Sequence, residues 1–146
     1  MLHTPSDQFK AVQAIAPQAA STGADVVVGS GIDCAGYEVA LFVVEVGAVA
    51  SGADKSVSAQ IQESSDNGSS DTFADLTGAT TGAVANAGQN ETYLIEVNLS
   101  EAERYLRVAI DGGSSAGGLI GVACLLMQGR SLPPTQQNTV VRYGFS

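Results

Sequence analysis

Ser56-Val57-Ser58-Ala59-Gln60-Ile61-Gln62-Glu63-Ser64 places Val57, Ala59 and Ile61 on one side and Ser56, Ser58, Gln60, Gln62 and Ser64 on the other. Successive side chains of an extended chain point to opposite faces, so this period of two reads as a strand with one buried and one wetted face. The following Ser65-Asp66-Asn67-Gly68-Ser69-Ser70 contains an Asn-Gly pair that tolerates positive φ. It predicts a tight hairpin, with Asp71 to Leu76 returning as the partner strand. A calcium loop is the sharper alternative, but Asp66, Asn67 and Asp71 lack the regular oxygen spacing and terminal Glu that such a loop uses.

The same alternation continues in both directions. Val26 to Val28 reads as a short strand, and Tyr37 to Val46 as a long one that is apolar on both faces. Tyr37, Val39, Leu41 and Val43 lie on one of those faces, and Ala40, Phe42, Val44 and Val46 on the other. Thr92 to Leu99 alternates with Tyr93, Ile95, Val97 and Leu99 inward, and Arg104 to Asp111 with Leu106, Val108 and Ile110 inward. Gly118 to Met127 is again apolar on both faces. A sandwich strand covered on one side only shows polar residues on the other, so something is expected to cover the second face of these two strands. Ser100-Glu101-Ala102-Glu103 has the form of a capping box and predicts one helical turn. Thr77 to Gln89 reads as a surface loop with a short strand at Ala83 to Asn86, and Thr139 to Phe145 as a last strand. Residues 1–20 read as an N-terminal arm or edge strand and 21–146 as the sandwich domain. The expectation is an all-β protein: an antiparallel, jelly-roll-like β-sandwich of about eight strands with an extended N-terminal arm.

The chain has 146 residues, enough for a single domain with one core. Six Lys and Arg against 15 Asp and Glu give a formal charge of −9. That balance disfavours nucleic acid or an anionic membrane as partner, since both need clustered cations. Charged residues make up 14% of the chain, against about 25% in ordinary soluble domains. A surface so poor in charge is commonly covered by another copy of the same chain. The first ten residues lack the basic and apolar blocks of a signal peptide, and the longest apolar run, Leu119 to Met127, is too short to span a bilayer. A soluble protein made in the cytosol is expected. Cys34 and Cys124 read as buried reduced thiols, with one disulfide as the alternative.

No active site emerges. His3 is the sole histidine and sits near an end, which disfavours a Ser–His or Cys–His pair, and no metal-ligand spacing occurs. Glu38, Glu45 and Glu63 fall on strands, but Trp is absent and Tyr and Phe number four each, too few rings for sugar subsites. Gly112-Gly113 and Gly117-Gly118 lack the Lys-Ser/Thr of a nucleotide loop and read as turns. Catalytic, cofactor-binding and metal-binding residues are therefore all assigned as none.

Three stretches carry a resemblance. They are Gly31-Ile32-Asp33-Cys34-Ala35-Gly36-Tyr37-Glu38 running into an apolar strand, Val57 to Phe73 with its Asp-x-Gly-Ser hairpin, and Arg104-Tyr105-Leu106-Arg107-Val108-Ala109 followed by a Gly/Ser turn. In this order the chain resembles small virion proteins of tailed bacteriophages, a group that includes capsid decoration (cement) proteins. The resemblance implies a non-enzymatic structural protein that stabilises the outside of a phage capsid as a homo-oligomer, a homotrimer in those relatives. Its partners would be itself and the major capsid protein, with no cofactor. It would be made in the host bacterial cytoplasm and end on the virion exterior, where residues Met1 to Ala20 would serve as a docking arm. Related sandwiches also act as connectors, tail parts and head fibres. A carbohydrate-binding module would share the fold but would offer exposed aromatic rings.

Overall fold

The computed structural model describes residues 4–20, 26–113, 117–131, 134–136 and 140. Its strands are β1 (Phe9–Ala19), β2 (Val27–Val28), β3 (Ile32–Asp33), β4 (Val39–Val49), β5 (Ser58–Ser64), β6 (Ala74–Thr80), β7 (Glu91–Asn98), β8 (Tyr105–Asp111) and β9 (Gly118–Met127). Two single-turn 3-10 helices, Pro5–Asp7 and Asn86–Gly88, complete the described elements.

All pairings are antiparallel. One sheet runs β1-β9-β4-β7; the other runs β2-β8-β5-β6, with β3 also on β8. With β2 and β3 taken as two pieces of one interrupted strand, this is the strand order of a jelly roll. The chain crosses between sheets at every connection except the β5–β6 hairpin. The all-β sandwich read from the alternation is the observed fold.

The core lies between the sheets. Ala40, Phe42, Val44 and Val46 of β4 and Ile120, Val122, Cys124 and Leu126 of β9 face Ala59 and Ile61 of β5 and Leu106, Val108 and Ile110 of β8, all 3% exposed or less. Their period of two is the one that the sequence carries, because burial on one side of a pleated strand selects every second residue.

Four expectations are corrected in detail. Of the two readings of residues 1–20, the edge strand and not the extended arm is what residues 9–19 form: β1 lies at a sheet edge and pairs with β9 along its length, with Phe9 opposite Met127 and Ala19 opposite Leu119. Its weak pattern arises from two register shifts, between Gln13 and Ile15 and between Ile15 and Gln18. Each inserted residue resets the alternation. The capping box forms no helix: Asn98 Oδ1 instead accepts the Ser100 N–H and hydroxyl, and the chain turns there. Thr77 to Thr80 belongs to β6 rather than to a loop, and Val84 makes a single bridge to Val57. Finally, the β5–β6 connection is longer than a tight hairpin. The last strand expected at Thr139 to Phe145 lies outside the described residues except for Val140.

That connection is built by side chains standing in for backbone. Asn67 and Gly68 adopt φ of 61° and 79°. The Asp66 carboxylate accepts the backbone N–H groups of Ser69, Ser70 and Asp71 at 2.9, 2.7 and 3.1 Å. Ser64 lies on the outer side of β5 yet is fully buried, because the loop folds over it. Its Oγ donates to the Asp71 carbonyl at 2.7 Å and accepts the Gly68 N–H at 2.8 Å. Desolvation pushes the Asp66 pKa up, but the three N–H donors prevail and hold it below the usual carboxylate value.

Ile61→Asp or Leu106→Asp should abolish cooperative urea unfolding, since an unpaired carboxylate in this core costs several kcal/mol. Gln60→Ala should cost only about 1 kcal/mol, from the hydrogen bond that its amide donates to the Leu76 carbonyl. Because the Asp66 pKa is depressed in the fold, its contribution is present above the unfolded value and lost as pH falls through the folded one. Asp66→Asn should therefore be less stable than wild type at pH 7, with the gap closing in acid when both are melted across the range.

Candidate docking face

The two outer surfaces of the sandwich differ in chemistry. The five-stranded sheet turns outward Gln60 and Gln62 of β5 and Tyr105 and Arg107 of β8. Gln60 donates to the Ile61 and Leu76 carbonyls, and Gln62 and Arg107 bond to each other. Gln62 accepts from Arg107 Nε at 2.8 Å and donates to Asp75 at 2.8 Å, and the Arg107 guanidinium stacks 4.3 Å from the Phe73 ring centroid. Nearby, Asp33 receives two hydrogen bonds from Arg104, at 2.9 and 2.8 Å, and that guanidinium holds the Asp33 pKa below its usual value. Apart from the exposed Val28 opposite Ala109, this is an ordinary polar protein surface.

The four-stranded sheet is apolar on its outside. Across β4 and β9 the outward pairs are Val39 with Met127, Leu41 with Leu125 and Val43 with Ala123. Phe9 and Ala11 extend the patch onto β1, opposite Met127 and Leu125, and Leu94 extends it onto β7, opposite Val43. Leu94 is 64% exposed and Leu119 52%. The second faces of the doubly apolar strands thus lie side by side at the centre of one sheet. Among the described residues, no strand or helix crosses them. Glu45 and Glu96 border the patch on the β7 side, with Glu45 accepting the Thr92 hydroxyl at 3.1 Å. A partner placed on an apolar sheet face with a thin acidic margin would be held by burial of apolar surface.

At the β1 side the face is bounded by the chain beyond β9. The Gln136 side chain accepts the Ala11 N–H at 3.0 Å and donates to the Phe9 and Ser6 carbonyls at 2.5 and 2.8 Å. One amide thereby occupies the edge of β1 as a neighbouring strand's peptide would. Beside it a groove of about 400 Å³ runs past Ala11, Ile15, Pro17 and Ala123 to Glu45 and Val140.

The acidic residues singled out in the sequence do not converge. Glu45 sits on the apolar face, and Glu63 accepts the Glu103 N–H at the far end of β5. Among the described residues, no group of three or more His, Cys, Asp or Glu could hold a metal ion. Phe42 is buried, Phe73 lies under Arg107, the Tyr93 hydroxyl is tied to the Gly88 carbonyl, and Tyr105 sits 5.0 Å from Arg104. The sequence reading missed two features. Gln136 carries no pattern that marks it as a clamp. The exposure of Leu94 was hidden because attention to Tyr93, Ile95 and Val97 leaves the outward residue of β7 looking incidental.

No protein-family model and no curated protein matches the chain. Among solved structures, a chain from the disulfide-linked pili of Bacillus endospore appendages is similar, with a TM-score of 0.43 and 15% identity. The match covers 87% of this chain and 96% of that one. A likeness at that level carries no inference about function.

Both cysteines are free thiols in the core. Burial pushes the Cys34 thiol up to about 12, and Cys124, deeper in the core, also well above the ordinary thiol value. Only thiolate is reactive. Neither should react with a chromogenic disulfide reagent at pH 8 in the native protein, and both should react in denaturant, giving two equivalents per chain.

Proposed function

We propose that this chain is a non-enzymatic structural subunit of a tailed-phage particle that decorates the capsid exterior as a homo-oligomer and stabilises the shell. The observation that supports it most is the apolar outer face of the four-stranded sheet, running from Phe9 and Met127 through Leu41 and Leu125 to Leu94. A protein meant to stay alone in solution rarely leaves the centre of a sheet without a covering strand or helix, and among the described residues none covers this one. The jelly roll is common among viral capsid proteins, which agrees with the sequence resemblance without deciding function on its own.

The docking element in this reading is the sheet face rather than an N-terminal arm, because residues 9–19 are committed to β1. Binding to the assembled lattice in preference to dispersed subunits stabilises the particle by mass action, and many copies acting together need only modest individual affinity. The major capsid protein is the partner, and the virion surface the location.

Purified protein added to capsids stripped of it should bind and raise the temperature of DNA release. Leu41→Glu or Leu125→Glu, if circular dichroism shows the fold retained, should bind at least tenfold more weakly, roughly 1.4 kcal/mol. Failure of the intact protein to bind capsids would transfer the role to a connector or tail. Unchanged binding by both variants would remove this face from the interaction.

A further inference from the structure

Every sheet edge among the described residues but one carries a device that stops another strand from adding. β1 is bent by two register shifts, contains Lys10 and Pro17, and has Phe9 and Ala11 taken by Gln136. β6 is broken by a register shift that includes Gly78 at φ 86°. The opposite edge of that sheet is made of two strands of two residues each. β7 has no shift, no plug and no break, and its charges are Glu91 and Glu96. Glu91–Asn98 pairs with Val39–Val46 in one unbroken register, contains no Pro, Gly or Lys, and has no described strand on its far side. Along this edge the seam between the sheets opens into a cavity of about 420 Å³ beside Leu76, Ala79 and Val97.

We infer that β7 is a self-pairing edge: two copies of the chain join antiparallel along it, about a two-fold axis at Leu94, into one eight-stranded sheet. Such a contact uses the same patch twice, so the strand must be compatible with its own reverse. Outward residues must also oppose outward residues, or the alternation that buries the core is lost. Pairing about Leu94 meets both conditions. Leu94 faces the partner's Leu94, Thr92 faces the partner's Glu96, and Tyr93 faces the partner's Ile95. Centring one residue later sets Leu94 against a carboxylate. Centring at Glu96 sets two carboxylates face to face, which is destabilising.

The acidic residues of β7 therefore select a register instead of blocking the edge. The second copy is the occupant that fits, because pairing also makes the apolar outer faces continuous across the axis through Leu94 and Val43. The inference goes beyond the proposed function: that reading requires only a covered face, whereas this one fixes a two-fold and not a three-fold arrangement.

The test needs no capsids, so its outcome is independent of capsid binding. Sedimentation equilibrium of the full chain at tens of micromolar should show a dimer. Leu94→Lys, at a position exposed in the single chain, should keep the wild-type circular dichroism spectrum and sediment as a monomer. Leu94→Cys should cross-link to a disulfide dimer under mild oxidation, whereas Glu96→Cys, on the same face but opposite Thr92, should not. A monomeric wild type, an odd-numbered oligomer, a dimer that survives Leu94→Lys, or equal cross-linking at both positions would each overturn the inference.

Discussion

The ladder between β4 and β9 is the constraint on which the rest of the molecule depends. From Val39 opposite Met127 to Val46 opposite Ile120, the two strands run together without a shift. Their inner residues form the centre of one wall of the core, which Ala14 and Ile15 of β1 and Ile95 and Val97 of β7 complete. β1 attaches to one side of this pair and β7 to the other, so neither outer strand of the sheet has a place without it. Apart from Glu45 its outward residues are apolar too, which makes the same ladder both the centre of the fold and the surface that needs covering.

Where one face of a strand is buried and the other is wet, the sequence speaks clearly. Val57, Ala59 and Ile61 are fully buried as their alternation requires, and so are Leu106, Val108 and Ile110. The double apolarity of β4 and β9 was equally legible, although it could not show that the two strands adjoin. Legibility fails where backbone geometry interrupts the period. The shifts in β1 left an eleven-residue strand readable only as an arm or an edge strand. Gly78 in β6 made a strand of small residues look like loop. At Ser100 the competition was local: Asn98 captured the hydrogen bonds that a capping box would have used.

The candidate face was legible only in half. Its central residues belong to the two conspicuous strands, but its margins depend on register, which no single stretch encodes. Leu94 matters because it lies beside Val43, and Gln136 matters because it reaches a strand more than a hundred residues earlier. The two edges of that sheet also show contrasting solutions to one problem. β1 is bent and capped by a side chain, whereas β7 is straight and left open.

The position of β1 has a consequence for how the protein comes off the ribosome. Among the described residues its only strand partner is β9, so the first strand made must wait for the last one described. About a hundred residues separate them, which at ordinary synthesis rates is roughly 5–20 s. Throughout that interval β4 lacks β9, and its apolar faces stand exposed in a chain that cannot yet close. The nascent polypeptide is therefore open to aggregation by topology until Gly118–Met127 has been made, and a ribosome stalled before Gly118 would leave β4 without its central partner.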